Sequence, residues 1–213
     1  MKAELIYPCN LVGYGRLLLI VAAVSVLYIG NGDPAGRWVF LGCLTASLLL
    51  DLLDGYLARR YDHTTTFGAL LDLALDLVTH TILWIASEWR FAVLFILLEW
   101  TAGILATFLS LRSDTTWKHR FSTRGWAPIR YYFSRHQRNL LSAYSNIAHF
   151  LFPATLFLSL TSTWIYILTA PGLIVYETVT LVMILMMISQ LKRGRSYSKP
   201  GSGRWSHDRA GGR

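Results

Sequence analysis

Six long apolar runs, separated by short polar segments, dominate the pattern of residues along this chain. They cover residues 11–30, 38–50, 67–86, 91–111, 143–160 and 165–191, and the second continues into the polar sequence 51–55. A helix needs about 20 predominantly apolar residues to cross the hydrocarbon core of a bilayer. The pattern therefore predicts an all-α integral membrane protein with six transmembrane helices.

The composition favours a single membrane domain. Of the 213 residues, 54% are hydrophobic and 15% are charged, whereas a soluble domain carries about 25% charged residues. We assign residues 1–191 to the membrane domain. Residues 192–213 are rich in glycine, serine, arginine and lysine and have no apolar face. They are predicted to form a basic, disordered, cytoplasmic tail.

The distribution of charge predicts how the helices are oriented. The formal net charge is +8, which in a soluble protein would suggest nucleic acid. In a membrane protein, basic residues collect on the cytoplasmic side and face anionic lipid. With six spans, only Arg37 and Arg90 of the 20 basic residues fall on the side opposite the termini. We therefore expect cytoplasmic termini, contact with membrane lipid and no nucleic-acid partner.

Four aspartates occur in the second and third apolar runs. Asp51 and Asp54 are three residues apart, and Asp72 and Asp76 are four apart, so each pair shares one face of its helix. The polar segment 59–66 between the pairs predicts a turn, which makes the two helices antiparallel neighbours. We expect the two acidic faces to meet near the cytoplasmic ends.

These four carboxylates require a compensating positive charge. One carboxylate at the centre of a membrane helix costs roughly 2.5–3.5 kcal/mol, and four repel one another. No basic residue lies between Asp72 and His80, so the cation is expected to come from outside the chain. Hard oxygen ligands suit Mg²⁺ or Mn²⁺, and two such ions can hold a pyrophosphate during displacement at phosphorus. The alternative is an acidic channel that passes cations.

Four residues near the aspartates fit the binding of a phosphate-bearing ligand. Gly55 removes a side chain where a ligand could approach the backbone, and Ala58 keeps the next turn small. Arg59 is a cation that can meet a phosphate near the membrane surface, and Gly68 precedes Asp72 by one turn. Taken alone, Gly55 is more typical of helix packing and Arg59 of a membrane-surface anchor.

The combined spacing is specific. It resembles, at all eight defined positions, the signature of the CDP-alcohol phosphotransferase family: Asp51-x2-Asp54-Gly55-x2-Ala58-Arg59-x8-Gly68-x3-Asp72-x3-Asp76. The resemblance implies six transmembrane helices, usually in a homodimer, with a polar cavity open to the cytoplasm. It also implies transfer of a phosphatidyl-type group from a CDP-linked donor to an alcohol, with release of CMP.

The resemblance further implies a role for each residue of the signature. Asp51, Asp54 and Asp72 would ligate the metals, and Asp76 would both ligate one metal and act as general base on the acceptor hydroxyl. The residues that would contact the CDP moiety are Gly55, Ala58, Arg59, Gly68 and, outside the signature, Asn10. Asn10 could equally cap the first helix.

Three further stretches, residues 10–16, 66–72 and 130–135, resemble the eukaryotic phosphatidylinositol synthases of this family. That likeness implies CDP-diacylglycerol as donor, myo-inositol as acceptor and, for a eukaryotic chain, the endoplasmic reticulum. Leu77 stands where those synthases usually carry an arginine, and residues 99–104 and 146–147 also depart from their pattern. The departures leave open a different acceptor (serine, glycerol phosphate or inositol phosphate) or a catalytically silent paralogue.

Three arginines outside the signature are candidates for binding an acceptor or a phosphate. Arg130 and Arg135 lie in the basic segment before the fifth apolar run, where a charged strip facing anionic lipid is the alternative. Arg16 lies inside the first apolar run, where it can either snorkel to the cytoplasmic face or face a phosphate. His80, one turn beyond the last aspartate, is interpreted as a packing or hydrogen-bonding residue.

The remaining polar and aromatic residues of note receive structural interpretations. Tyr131 and Tyr132 are expected to be interfacial aromatics. The proline and glycine at residues 171–172 predict a break in the last helix. Glu99 and Glu177 also lie in apolar runs, and the sequence assigns neither a role.

Overall fold

The computed structural model describes residues 6–30, 33–63, 65–112, 121, 126–137 and 139–192. Within these ranges the ordered elements are helices, and no strand occurs. A short 3-10 turn spans Ser134–Gln137. The α-helices are α1 (Pro8–Ile29), α2 (Pro34–Arg60), α3 (Thr66–Ala86), α4 (Ala92–Leu111), α5 (Ala127–Tyr132), α6 (Leu140–Phe157) and α7 (Thr163–Lys192).

Six of these helices, all except α5, are long and apolar enough to cross a membrane. The prediction of an all-α, six-span integral membrane protein is confirmed. The predicted basic tail, beyond the residue that ends α7, lies outside the described residues.

The predicted break in the last helix is wrong. Helix α7 continues through Pro171 as one element. The helix packs closely against α6 directly after the proline, since a Cβ atom added at Gly172 would collide with Ala148. Thr169, two residues before the proline, donates a hydrogen bond from its hydroxyl to the carbonyl of Ile165 at 2.8 Å.

Side-chain caps define the starts of three helices. Asp33, Thr65 and Asn139 accept hydrogen bonds from the backbone N–H groups of the residues three positions later, at 3.0–3.2 Å. Such caps satisfy donors that have no partner within the helix. Asn10 does not cap α1, because the helix begins at Pro8 and Asn10 lies buried inside it.

The packing of α1 decides how the two acidic helices are related. Helix α1 packs along α2 and also contacts α3, whereas α2 and α3 make little direct contact. On the other side of the bundle α3 contacts α4 and α6, and both of these pack against α7. Side chains of α1 therefore lie between the acidic faces of α2 and α3.

Candidate active site

The guanidinium group of Arg16 lies among the four predicted aspartates. Its Nη1 atom donates hydrogen bonds to Asp51 Oδ1 at 2.7 Å, Asp54 Oδ2 at 3.1 Å and Asp72 Oδ1 at 2.9 Å. Its Nη2 atom donates to Asp76 Oδ1 at 2.6 Å. We call these five residues the aspartate cluster. The Arg16 side chain is fully buried, whereas those of Asp51 and Asp76 remain about one-third exposed, at 33% and 32%.

Local packing explains why Arg16 reaches this position. Gly13 precedes Arg16 by about one turn of α1, and a Cβ atom there would lie 2.9 Å from Leu71 Cδ2 of α3. The absence of a side chain at Gly13 thus lets α1 approach α3 closely. Arg16 then projects from α1 into the gap between α2 and α3.

One expectation about charge is therefore wrong, and a second is incomplete. Arg16 does not snorkel to the membrane surface, because its side chain has no exposed area. The aspartates also have a cation from their own chain, although the sequence around them contains none between Asp72 and His80. The missing positive charge comes from Arg16 of α1, earlier in the sequence. The spacing of residues does not reveal that α1 contacts both acidic helices.

The aspartate cluster still has the ligand atoms and the charge for a metal ion. Asp51, Asp72 and Asp76 each offer a carboxylate oxygen, and these atoms lie within 4.8 Å of one another. When ionised, the four carboxylates carry four negative charges against the single positive charge of Arg16, which leaves an excess of three. Hard oxygen donors with this excess of charge suit a divalent ion such as Mg²⁺ or Mn²⁺.

The residues expected to contact CDP flank the cluster at the adjoining ends of α2 and α3. A Cβ atom at Gly68 would lie 3.0 Å from Asn10 Oδ1, so the buried Asn10 side chain lies against the first turn of α3. A Cβ atom at Gly55 would lie 3.2 Å from Arg59 Nη1, so the Arg59 guanidinium folds back over Gly55. Ala58 lies half-buried on the same turns of α2.

The candidate acceptor residues Arg130 and Arg135 are not part of the aspartate cluster. Both side chains are exposed, Arg130 on α5 and Arg135 in the following turn. Tyr131 is exposed as expected of an interfacial aromatic, but Tyr132 is buried, so the interfacial interpretation of Tyr132 is wrong. Its hydroxyl lies 2.9 Å from Ser145 Oγ of α6, and burial raises its pKa to about 12. Tyr132 is therefore a neutral link between α5 and α6.

Sequence reasoning missed a second polar cluster, whose α3 member, His80, follows Asp76 by one turn. Glu99 Oε1 of α4 is 3.3 Å from His80 Nδ1 and 2.5 Å from His149 Nε2 of α6. His149 Nδ1 is 3.3 Å from Glu177 Oε1 of α7. We call these four residues the histidine–glutamate cluster. The available signal was a single histidine or glutamate in each of four apolar runs.

Comparison with known proteins identifies the family of this chain. The family model described as CDP-alcohol phosphatidyltransferase matches residues 7–191. The chain belongs to the CDP-alcohol phosphatidyltransferase family. All six membrane-spanning helices lie within the matched range, and so do both polar clusters.

Individual relatives within the CDP-alcohol phosphatidyltransferases agree on one activity in their names. The chain is 28% identical to a CDP-diacylglycerol--inositol 3-phosphatidyltransferase of Saccharomyces cerevisiae over 192 residues. This alignment covers 84% of this chain and 82% of that protein. The chain is 41% identical over 71 residues to a protein of the same name from Candida albicans, covering 33% of this chain and 28% of that protein. A probable CDP-diacylglycerol--inositol 3-phosphatidyltransferase 2 of Arabidopsis thaliana is 32% identical over 139 residues, 61% of this chain and 58% of that protein. No solved structure gives a significant match.

Proposed function

We propose that this chain transfers a phosphatidyl group from CDP-diacylglycerol to an alcohol, with myo-inositol as the first candidate acceptor and CMP as the second product. The observation that carries the proposal is the convergence of four carboxylates from α2 and α3 around one buried guanidinium. Such a group of ionisable residues inside apolar helices costs free energy of insertion and therefore marks a functional site. The names of the aligned relatives supply the donor and the acceptor.

Two divalent ions, Mg²⁺ or Mn²⁺, are the proposed cofactors. Asp51, Asp54, Asp72 and Asp76 are the residues that would hold them. When bound, the ions would neutralise the pyrophosphate of the donor and the charge that develops on the leaving CMP. The excess of negative charge in the aspartate cluster supports this assignment, since two divalent cations and Arg16 together would more than balance four carboxylates.

Asp76 is the proposed general base. As the acceptor hydroxyl oxygen attacks the phosphorus that bears the lipid, its proton passes to an Asp76 carboxylate oxygen. The bond between that phosphorus and the CMP oxygen breaks, and CMP leaves with the electron pair. Asp76 suits this role because about one-third of its side chain is exposed and Arg16 fixes the position of Oδ1 at 2.6 Å. General-base catalysis contributes typically 10²–10⁴-fold.

The donor is proposed to bind along the adjoining ends of α2 and α3. Asn10 lies against Gly68 at the start of α3, and Arg59 lies against Gly55 near the end of α2. The exposed Arg59 guanidinium carries a positive charge that suits a diphosphate, and Ala58 leaves the same turn free of a bulky side chain. The acyl chains would lie in the membrane between helices, with the head group in a cavity open to the cytoplasm.

Fewer residues support the proposed acceptor site. The exposed guanidinium groups of Arg130 and Arg135 are proposed to attract a phosphate-bearing acceptor or donor to this surface. Arg16 is proposed to hold the carboxylates in place and to contact a phosphate once the donor is bound.

We also propose a topology and an assembly. Both termini face the cytoplasm because 18 of the 20 Lys and Arg residues then lie on that side. The chain is proposed to form a homodimer in the endoplasmic reticulum, as the family resemblance implies. Glycosylation acceptor sites introduced in the loops after α1 and α4 test the topology, because only the first should be modified in the lumen.

The decisive experiment for the function is an assay of the purified full chain with CDP-diacylglycerol and Mg²⁺ or Mn²⁺. Inositol, serine, glycerol phosphate and inositol phosphate are added separately, and CMP and the lipid product are measured. CMP formation that depends on inositol supports the proposal as stated, and dependence on another acceptor corrects the acceptor alone. No CMP with any acceptor would contradict the proposal and favour a silent paralogue or a cation transporter.

A further inference from the structure

The histidine–glutamate cluster lies deep in the bundle, apart from the groups that the proposed transfer reaction uses. Glu99 and His149 are 3% and 1% exposed. His80 follows Asp76 by one turn of α3, which displaces it about 6 Å along the helix axis. The four members come from four different membrane-spanning helices, α3, α4, α6 and α7. The cluster therefore joins α3, which also carries Asp72 and Asp76, to α4, α6 and α7, which contribute no residue to the aspartate cluster.

The ligand atoms in this cluster have the spacing of a metal site. His80 Nδ1, Glu99 Oε1 and His149 Nε2 all lie within 4.8 Å of one another. Zn²⁺ bonds of about 2.0–2.2 Å at tetrahedral angles separate neighbouring ligand atoms by roughly 3.3–3.6 Å. The distance between His80 Nδ1 and Glu99 Oε1 is 3.3 Å. A small outward movement of His149 would bring Nε2 to the same separation.

Glu177 occupies the position of an outer partner to a metal-binding histidine. Metal-bound histidines almost always donate the other ring N–H to a carboxylate or a carbonyl, which fixes the tautomer and the ring orientation. Glu177 Oε1 lies 3.3 Å from His149 Nδ1, on the opposite ring edge from Glu99. The Tyr176 ring stacks on His149 with centroids 3.9 Å apart, which further fixes the plane of the imidazole.

The contacts among these four residues do not give every buried polar atom of the cluster a hydrogen-bond partner. Glu99 Oε2 is buried and has no hydrogen-bond partner among the residues that the structure describes. A buried carboxylate oxygen without a partner is costly, and more so inside a membrane. A cation held between Glu99 and the two imidazoles would satisfy this carboxylate.

We propose that His80 Nδ1, Glu99 Oε1 and His149 Nε2 bind one transition-metal ion of the Zn²⁺ class, with Glu177 orienting His149. Two imidazoles and one carboxylate are a ligand set typical of such ions. The hard, all-oxygen set of the aspartate cluster favours Mg²⁺ or Mn²⁺. The two clusters therefore select different metals, and the deep site links α3, α4 and α6. His80, 14% exposed, is the most exposed of the three proposed ligands.

Metal binding to the purified full chain tests this proposal without reference to activity. The chain is produced without a polyhistidine tag, stripped of metal, and titrated with Zn²⁺ or Co²⁺ in detergent with saturating Mg²⁺ to occupy the aspartate cluster. Metal content after gel filtration reports the stoichiometry. The visible absorption of Co²⁺ reports whether its ligands are tetrahedral. We expect one tightly bound ion per chain with a tetrahedral Co²⁺ spectrum.

Matched variants locate the ion. Glu99→Gln should abolish tight binding, and Glu177→Gln should weaken it about 10–100-fold. Glu88→Gln, the same change at an exposed loop position, and Asp76→Asn in the other cluster should both retain it. Wild-type protein that binds no Zn²⁺ or Co²⁺ under these conditions would overturn the proposal, even if a variant failed to fold. So would an ion that Glu99→Gln retains or Asp76→Asn removes.

Discussion

Two polar clusters share one apolar bundle, and they are built in different ways. The aspartate cluster draws four acids from α2 and α3 around a single arginine from α1. The histidine–glutamate cluster takes one residue from each of α3, α4, α6 and α7. The first has an excess of negative charge and partly exposed carboxylates, whereas the second pairs two acids with two imidazoles in the interior.

The difference teaches how charge is tolerated inside a membrane protein. In the aspartate cluster the acids outnumber the cation, which leaves charge available for metal ions and for a diphosphate. In the histidine–glutamate cluster each acid lies beside an imidazole, and what remains to be satisfied is the second oxygen of each carboxylate. The first arrangement suits turnover of a charged substrate, and the second suits an ion that stays bound.

The largest expected effect is a loss of catalysis when one residue of the aspartate cluster is changed. Asp76→Asn should reduce CMP formation by about 10²–10⁴-fold, because an amide cannot accept the acceptor proton as a carboxylate does. Asparagine keeps the shape of the side chain, so we expect elution of the folded chain and binding of CDP-diacylglycerol to be retained. Initial rates of CMP release with saturating donor measure the effect.

Asp62→Asn is the matched control for this variant. Asp62 is exposed in the turn after α2 with a positive φ of 53°, a conformation that asparagine accepts readily. Its rate of CMP release should equal that of the wild type. Normal CMP release by Asp76→Asn would exclude Asp76 as the general base.

How much of this comparison could be read from the sequence depends on whether the signal lies within one helix. The pairs Asp51–Asp54 and Asp72–Asp76 are local spacings, and they place the carboxylates on one face of each helix whatever the tertiary structure. The six spans are likewise set by runs of apolar residues, and the structure has them within a few residues of the predicted limits, except that the second helix continues to Arg60.

The rest depends on the register between helices, which a single sequence does not contain. Arg16 was predicted either to snorkel or to face a phosphate, and only the packing of α1 against both α2 and α3 shows that it pairs with the aspartates. The histidine–glutamate cluster was invisible for the same reason, since each helix contributes one member. A lone glutamate such as Glu99 has no neighbour at helical spacing that would reveal its partners.

The second prediction concerns the stability of the aspartate cluster. Arg16→Met removes the only cation in this group of five, and loss of one partner from a buried ion pair costs about 3–5 kcal/mol. In the presence of chelator the variant should therefore unfold at a markedly lower temperature than the wild type. Added Mn²⁺ should raise its Tm more than that of the wild type, because the metal replaces the missing positive charge.

Arg90→Met provides the comparison. Arg90 is exposed and lies over the ring of Phe91 at 4.5 Å from the centroid, a contact worth about 0.5–1 kcal/mol. Its Tm should change little, and its response to Mn²⁺ should match that of the wild type. An Arg16→Met variant as stable as Arg90→Met in chelator would show that Arg16 does not hold the carboxylates together.

The third prediction concerns the histidine–glutamate cluster and is of intermediate size. Glu177→Gln removes the negative charge beside His149, and a hydrogen bond to a charged group contributes about 1.5–3 kcal/mol. With roughly 2–4 °C per kcal/mol for a chain of this size, Tm should fall by several degrees. The gain in Tm on adding Mg²⁺ should stay as in the wild type, since the aspartate cluster is intact. If Glu177→Gln abolished that gain, the two clusters would not be independent.

The smallest expected effect is that of Gly55→Ala, which tests whether Gly55 and Arg59 belong to the donor site. A Cβ atom at this position would lie 3.2 Å from Arg59 Nη1, so Gly55→Ala should push the guanidinium aside and raise the KM for CDP-diacylglycerol several-fold. Stability should hold or rise, because alanine in a helix interior is favoured over glycine by about 1 kcal/mol. Gly42→Ala makes the same change in the same helix where a Cβ atom meets nothing within 4 Å. Gly42→Ala should gain the same stability and leave KM unchanged, so equal KM values for the two variants would remove Gly55 and Arg59 from the donor site.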